Sequence, residues 1–263
     1  NIQTMTASGH SSYHALHARL QHRFSNGFTL LSSYAYGKSI DNGSGVRTTD
    51  GDALTPSNNY NLDAERGRSA FDFRQRWTNS WLYELPFGKG KRWMNVGGLA
   101  NAVLGGWQIG GILTLQSGFP LSVFCGPGNW QNNDTTCYAD ATGIAPELPR
   151  GEQDPNRWFN LDAFVNRVGV PNNRPQDITQ YRYGNAGRNV FDGPGIIALD
   201  ASVTKNWALA ERSRLEFRAE FFNLPNHPLW GQPNTSPGSP TYGVIGSTRI
   251  DPRDIQLALK LYF

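Results

Sequence analysis

The sequence of 263 residues predicts an all-β fold of antiparallel strands, and three observations support this fold class. Seven segments alternate apolar and polar residues with a period of two, the spacing of an extended strand with two unlike faces. The composition is rich in glycine (29 residues) and aromatic residues (12%), with 38% hydrophobic residues, which suits strands and long loops. The connections between the seven segments differ greatly in length.

The first two segments predict a hairpin. Residues 12–24 and 28–38 both alternate, and the Ser25-Asn26-Gly27 stretch between them has the composition of a tight turn. In both segments the apolar residues share one parity: Leu16, Ala18, Leu20, Phe24, Phe28, Leu30, Tyr34 and Tyr36. A polar stretch of about thirty residues follows, so the third segment is reached through a long connection.

The third and fourth predicted strands cover about 71–85 and 106–117. The third has aromatic residues on one parity, although Gln75 and Asn79 interrupt that pattern. The fourth alternates more regularly, and its apolar parity holds Trp107, Ile109, Leu113 and Leu115. A long segment, about 118–195, shows no period and is predicted to be irregular.

The last three predicted strands cover 196–207, 214–221 and 254–263. The sixth strand, RLEFRAEF, alternates full charges with apolar residues, so one of its faces must be wet. The last strand has a wholly apolar parity, made of Ile255, Leu257, Leu259, Leu261 and Phe263.

The chemistry of the two faces favours a transmembrane barrel over a soluble sheet. A lysine or arginine on a lipid-facing position costs ~2–4 kcal/mol at the membrane midplane, so the charged parity is predicted to face a lumen. Only Lys38 and Lys205 break the apolar parity, and both lie near strand ends, where we expect them to reach lipid headgroups. A soluble antiparallel sheet with one wet face would explain the alternation alone.

The order of the connections supports the same choice. Strands joined in sequence point alternately up and down, so the longer connections all fall at one end of the sheet. Short periplasmic turns and long extracellular loops are typical of outer-membrane barrels. The sequence therefore predicts an antiparallel up-and-down transmembrane β-barrel segment with long extracellular loops, in the outer membrane of a Gram-negative bacterium.

Catalytic, metal-binding and nucleic-acid-binding patterns are not found in the sequence. The net charge of +3 is small and evenly spread, so nucleic acid is not an expected partner. His14 and His17 lie on opposite faces of the first strand, His10 lies outside it and His227 is far away in sequence, and no hydrolase or nucleotide-binding motif occurs, so we expect a non-enzyme without cofactor or metal. The alternating charges could form an acid/base set, but we predict a lumenal charge ladder paired across strands, made of Asp200, Arg214, Glu216, Arg218 and Glu220.

The two cysteines lie in one polar segment, at Cys125 and Cys137. Free thiols are one reading of this pair. The external loop of an outer-membrane barrel faces an oxidising compartment, so we predict a disulfide across that loop.

Several sequence blocks resemble a known family. The terminal LALKLYF resembles the assembly signal of outer-membrane barrels, carried here by Ile255, Leu257, Leu259, Leu261 and Phe263. The other blocks, in order, resemble the C-terminal part of TonB-dependent receptors, and among these the Oar-like group with a carboxypeptidase-regulatory-like N-terminal domain. They are YELPFGKGKRW, GGWQIGGILTLQSGFPLSV, NLDAF, YGNAGRNVFDGPG, LDASVTKNW and RLEFRAEFFNLPNHPLWGQPN.

This resemblance implies a barrel of about 22 strands, plugged by an N-terminal domain. Residues 1–263 are then expected to be a fragment, the C-terminal seven or so strands, with the plug and the N-terminal strands absent. The implied function is energy-coupled uptake of a large or scarce ligand. The implied partners are outer-membrane lipid, the barrel assembly machinery, the TonB complex acting through the missing plug, and an unknown extracellular ligand.

Two other functions remain open at this stage. A structural or adhesive outer-membrane barrel would bind a partner through its long loops. A soluble carbohydrate-binding β domain is the third possibility, and the apolar strand faces argue against it.

Overall fold

The computed structural model describes residues 8–24, 27–45, 56–125, 136–149, 151–166 and 183–263. Within these ranges the chain forms, in order, β1 (Ser11–Arg23), β2 (Phe28–Asp41), β3 (Gly67–Arg68), β4 (Gln75–Glu84), α1 (Gly98–Leu104), β5 (Trp107–Gln116), β6 (Pro120–Leu121), β7 (Asp140–Ala141), β8 (Phe164–Val165), β9 (Phe191–Asp192), β10 (Ile196–Ala208), β11 (Arg214–Phe222) and β12 (Asp254–Tyr262). Two short 3-10 helices cover Leu62–Glu65 and Leu161–Ala163. Among the described residues, no helix has the length and apolar character needed to cross a membrane.

The seven long strands form one antiparallel sheet in the order β1-β2-β4-β5-β10-β11-β12, and β3 pairs with the end of β2. Each long strand pairs with the next long strand along the chain, so the predicted up-and-down arrangement is confirmed. The third long strand starts at Gln75, later than the sequence suggested. The preceding residues form a turn, in which the backbone of Asp72 donates to Ser69 at 2.9 Å, and the Asp72 carboxylate accepts a hydrogen bond from the backbone of Ser39 at 2.7 Å.

The register of the sheet brings the apolar parities of all seven strands to one face. One in-register row crosses six strands from β2 to β12: Phe28, Tyr83, Ile109, Val203, Ala219 and Leu257. The adjacent row crosses the same strands: Thr29, Leu82, Gly110, Ser202, Glu220 and Gln256. Because successive side chains point to opposite sides, the first row defines an apolar face and the second a polar face.

Nothing in the chain covers much of the apolar face among the described residues. On the two outer strands Leu16 is 62% exposed, Leu257 69% and Leu259 66%. A contiguous apolar surface of this extent is unfavourable in water, because it forfeits the free energy of burial. The apolar face therefore needs an apolar surrounding, as a membrane-spanning sheet has.

The connections separate by length, as predicted. The shorter connections 24–27, 85–106 and 209–213 lie at one end of the sheet, which we call the turn end; Ser25 and Asn26 of the predicted tight turn lie outside the described residues. The longer connections 42–74, 117–195 and 223–253 lie at the opposite end, which we call the loop end.

The buried core of the described chain lies in the loops and not on the sheet. It is a cluster made of Leu121, Val123, Tyr138, Ala139, Phe159, Ala163, Phe164, Ala186 and Phe191. All of these residues belong to the connection that the sequence led us to expect as irregular. Its described parts are mostly irregular, as expected, but they also form two small ladders around the cluster, β6 with β9 and β7 with β8, which the sequence did not predict.

Candidate functional site

The three long connections pack together at the loop end and form one unit, which we call the loop assembly: the described residues of 42–74, 117–195 and 223–253. The Tyr138 hydroxyl of the second connection donates to Glu65 of the first at 2.8 Å. The backbone of Trp158 donates to Gly243 of the third connection at 3.0 Å. Contacts in both directions from the second connection make it the centre of the unit.

Glycines allow the backbones of the loop assembly to approach closely. A Cβ atom on Gly118 would overlap the carbonyl oxygen of Gly193, and one on Gly184 would overlap that of Tyr138. Main-chain hydrogen bonds then hold the strands of the assembly together, including Gly193 N–H to Phe119 O at 2.8 Å. The small residue at each of these points is therefore required by the close approach.

A buried ion pair fixes the loop assembly to the end of β2. The guanidinium of Arg188 pairs with the carboxylate of Asp41, and both side chains are nearly fully buried. The same guanidinium donates to the main-chain oxygen of Asp41 at 2.9 Å. Burial lowers the pKa of Arg188 to about 10, which still leaves it charged at neutral pH. We call this contact the Asp41–Arg188 clamp.

A second set of charges extends the clamp between the first two long connections. Arg68 contacts Asp72 at 2.9 Å and Asp192 at 2.8 Å, while Arg74 reaches Asp72 at 3.6 Å. Asn189, next to the clamp, donates to the main-chain oxygen of Arg68 at 2.7 Å. Oppositely charged groups thus alternate across the junction, so each buried charge has a counter-charge.

An aromatic pair and a cation–π contact join all three long connections. Phe73 of the first packs edge-on against Phe119 of the second, with ring centroids 4.4 Å apart. Arg249 of the third connection lies over the Phe119 ring, with its guanidinium carbon 4.5 Å from the ring centroid. Its two terminal nitrogens are buried and have no hydrogen-bond partner among the described residues. Burial lowers the pKa of Arg249, and the ring face offers the cation a favourable contact.

The two cysteines meet inside the loop assembly. Cys125 and Cys137 are joined by a disulfide with their Cα atoms 5.3 Å apart, and residues 126–135 between them lie outside the described residues. The backbone of Cys125 also donates to Cys137 at 2.7 Å. The disulfide and this hydrogen bond therefore hold Cys125 and Cys137 side by side.

We expect the thiols of Cys125 and Cys137 to resist maleimide labelling in exported protein until a reductant is added, after which both should react. Closing a loop of this size stabilises the fold by ~3 kcal/mol in the chain-entropy model. Mass spectrometry of the protein, treated with maleimide in the presence or absence of reductant, gives the number of labels per chain. Two labels on unreduced, correctly exported protein would contradict the disulfide.

The five residues of the expected charge ladder share the polar face but do not form one ladder. Ion pairs run along β11, with Arg218 at 3.0 Å from Glu216 and 3.6 Å from Glu220. The five residues do not pair with one another across strands, because Arg218 faces Thr204 and Ala258 in register. Glu216 does face an opposite charge across the strands, but that residue is Lys260, which was not in the expected set.

The other two members of the set have separate roles. Arg214 lies over the ring of Tyr262 at 4.2 Å. Asp200 accepts a hydrogen bond from the backbone of Asn223 at 2.9 Å, at the point where β11 ends. Only three of the five residues therefore contact one another, and an acid/base pair aimed at a common point is not assembled among them.

The residues of the expected assembly signal lie where the sequence placed them, on the apolar face of β12 or just beyond it. Ile255, Leu257, Leu259 and Leu261 are all more than half exposed, and Phe263 is 97% exposed. Their role as an assembly signal stays a prediction. Within the described ranges, no group of three histidine, cysteine, aspartate or glutamate side chains is placed to hold a metal ion.

The chain was compared with known protein families, curated proteins and solved structures. A family model described as "Outer membrane beta barrel domain" matches residues 1–256. The match covers β1 to β11 and the beginning of β12. No curated protein and no solved structure matches the chain.

Proposed function

The chain belongs to the outer membrane beta barrel domain family, and from that premise we propose that it forms the C-terminal part of the barrel of a TonB-dependent receptor. The family places the chain in the outer membrane of a Gram-negative bacterium. The proposed activity is energy-coupled uptake of a large or scarce extracellular ligand. In this role the barrel is a wall and a ligand-facing surface, not an enzyme.

The polar face carries the proposal. Small side chains recur across neighbouring strands of this face, including Ser33, Ala35, Thr78, Ser80, Gly110 and Ser202. A narrow barrel fills its interior with bulky side chains, whereas a wide one leaves room for water or a plug. Small and charged residues on seven consecutive strands therefore favour a wide barrel, the kind that encloses a plug domain.

The loop assembly supports a receptor function. Outer-membrane barrels have short turns on the periplasmic side and long loops outside, so the loop end faces the extracellular medium. Its buried cluster and the Asp41–Arg188 clamp fix the three connections relative to the barrel wall. A preordered surface of this kind loses less conformational entropy when it binds a ligand than separate mobile loops would.

Capture of TonB tests the proposal. Full-length protein in detergent micelles, which leave both ends of the barrel accessible, is expected to bind the soluble C-terminal domain of TonB saturably, and a porin in the same detergent serves as the control. Binding no stronger than that of the porin would contradict energy-coupled transport.

A structural or adhesive barrel is the second candidate, and exposed apolar residues on the loop assembly favour it. Tyr60 is 96% exposed, Phe71 56% and Ile144 48%. Exposed apolar groups at a surface often mark a contact with another molecule. Attachment of cells would then depend on the loops and persist after the proton-motive force is dissipated, whereas uptake would stop.

A further inference from the structure

The helix α1 lies against the outside of the sheet at the turn end. The indole N–H of Trp107 donates to the carbonyl oxygen of Val103 at 2.8 Å, and that of Trp207 donates to Ala102 at 2.7 Å. The ammonium of Lys205 donates to the carbonyl oxygen of Gly105. These three side chains all belong to the apolar face, so the helix lies on the lipid side of the barrel wall.

Lys205 holds this helix in place. Its side chain is only 1% exposed. Its Nζ atom lies 5.7 Å from the ring centroid of Trp107 and 5.2 Å from that of Trp207. The expectation that Lys205 reaches lipid headgroups is therefore wrong. A cation at the C-terminal end of a helix is favourable, because the last carbonyl oxygens lack intrahelical partners. The contact explains why a lysine is tolerated on the apolar face.

The outer surface of the 85–106 connection combines exposed apolar and exposed basic residues. Leu99 is 88% exposed and Val103 67%. They lie four residues apart on α1, so they share one side of the helix. Before the helix, two more apolar side chains and two basic ones are also exposed: Trp93, Met94, Lys89 and Arg92. Lys91 is directed to the polar face instead, because it pairs with Glu84, whose carboxylate also accepts a hydrogen bond from Gln108.

We propose that the 85–106 connection is a lipid-binding element that docks into the membrane interface and recognises anionic glycerophospholipid. Leu99 and Val103 enter the acyl boundary, while Lys89 and Arg92 contact headgroup phosphates. Tryptophan, aliphatic and basic residues together are typical of segments that lie in a membrane interface.

Two observations favour lipid over a protein partner. The element is continuous with the apolar face through Trp107 and Trp207, so its exposed apolar residues extend a surface that already borders lipid. Its exposed basic residues Lys89 and Arg92 complement phosphate. The proposal depends on membrane placement and not on energy coupling.

The test uses full-length protein in vesicles of phosphatidylcholine mixed with phosphatidylglycerol. An environment-sensitive fluorophore is attached through Leu99→Cys, with Gln108→Cys on the polar face as the control. Quenching by brominated lipid is expected at position 99 and not at position 108. Quenching of position 99 by aqueous iodide alone would overturn the docking.

The lipid preference is tested by brominating either phosphatidylglycerol or phosphatidylcholine. A basic residue at an anionic surface contributes about 1 kcal/mol, or roughly fivefold enrichment, so brominated phosphatidylglycerol should quench position 99 more strongly. The variant K89Q/R92Q should lose that preference while it keeps heat-modifiable migration, which shows a folded barrel. Equal quenching of position 99 by both lipids, in the protein that carries Leu99→Cys and all of its basic residues, would overturn anionic recognition.

Discussion

Leu257→Lys is expected to reduce strongly the amount of folded protein in the outer membrane. Leu257 lies on the apolar face of β12 and is 69% exposed to the surroundings of the sheet. A lysine on a lipid-facing strand costs ~2–4 kcal/mol near the midplane, a large part of the stability of a typical domain. Heat-modifiable migration on gels of outer-membrane fractions measures the folded amount.

The neighbouring residue provides a matched control. Gln256 lies on the polar face, in register with Glu220, so Gln256→Lys places the same side chain opposite a carboxylate. Lys260 already occupies this face of β12. We expect Gln256→Lys to assemble like the unaltered protein. Equal loss of folded protein in both variants would mean that β12 does not have two unlike surroundings.

Asp41→Ala is expected to release the loop assembly from the end of β2. The substitution removes the carboxylate of Asp41 from the buried guanidinium of Arg188, and breaking a buried pair in this way costs about 3–5 kcal/mol. Because the clamp joins the second long connection to the barrel wall, the loops should become susceptible to protease while the strands stay folded. Limited proteolysis of intact cells, followed by gel analysis, measures this.

Two further variants make the result specific. Glu84→Ala breaks an exposed pair with Lys91, worth about 0–1 kcal/mol, and should change protease susceptibility little. The double variant D41L/R188M removes both charges and should recover much of the loss, since apolar pairs often replace buried ion pairs without penalty. Protease resistance of Asp41→Ala equal to that of Glu84→Ala would exclude the clamp.

The sequence predicted the strands well because a strand in a membrane barrel is defined locally. Alternation in β12 or β11 can be read from neighbouring residues, and the same parity then lies on the apolar face. The charge pairs of β11 show the limit of prediction from neighbouring residues. Period two places Glu216, Arg218 and Glu220 on one face, but which residues of β10 and β12 face them depends on register. Pairing along the strand was therefore missed.

The loop assembly could not be predicted from local patterns. Its core residues, such as Val123, Phe159 and Phe191, are far apart in sequence and follow no helix or strand period. The clamp joins Asp41 to Arg188, which are 147 residues apart in the sequence. Lys205 is a similar case, because a helix that folds back onto the strand supplies its acceptor. Long-range contacts of this kind are decided by tertiary packing.

Whether the apolar face borders lipid is tested most directly by spin labels on two adjacent residues of β10. Full-length protein in outer membranes carries a nitroxide through Val203→Cys or Ser202→Cys, and collision rates with oxygen and with a water-soluble nickel chelate are measured. The label at Val203 is expected to favour oxygen, which concentrates in lipid, and the label at Ser202 is expected to show a lower ratio of oxygen to nickel collisions. Equal ratios at the two positions, or a higher ratio at Ser202, would contradict a transmembrane sheet with one lipid face.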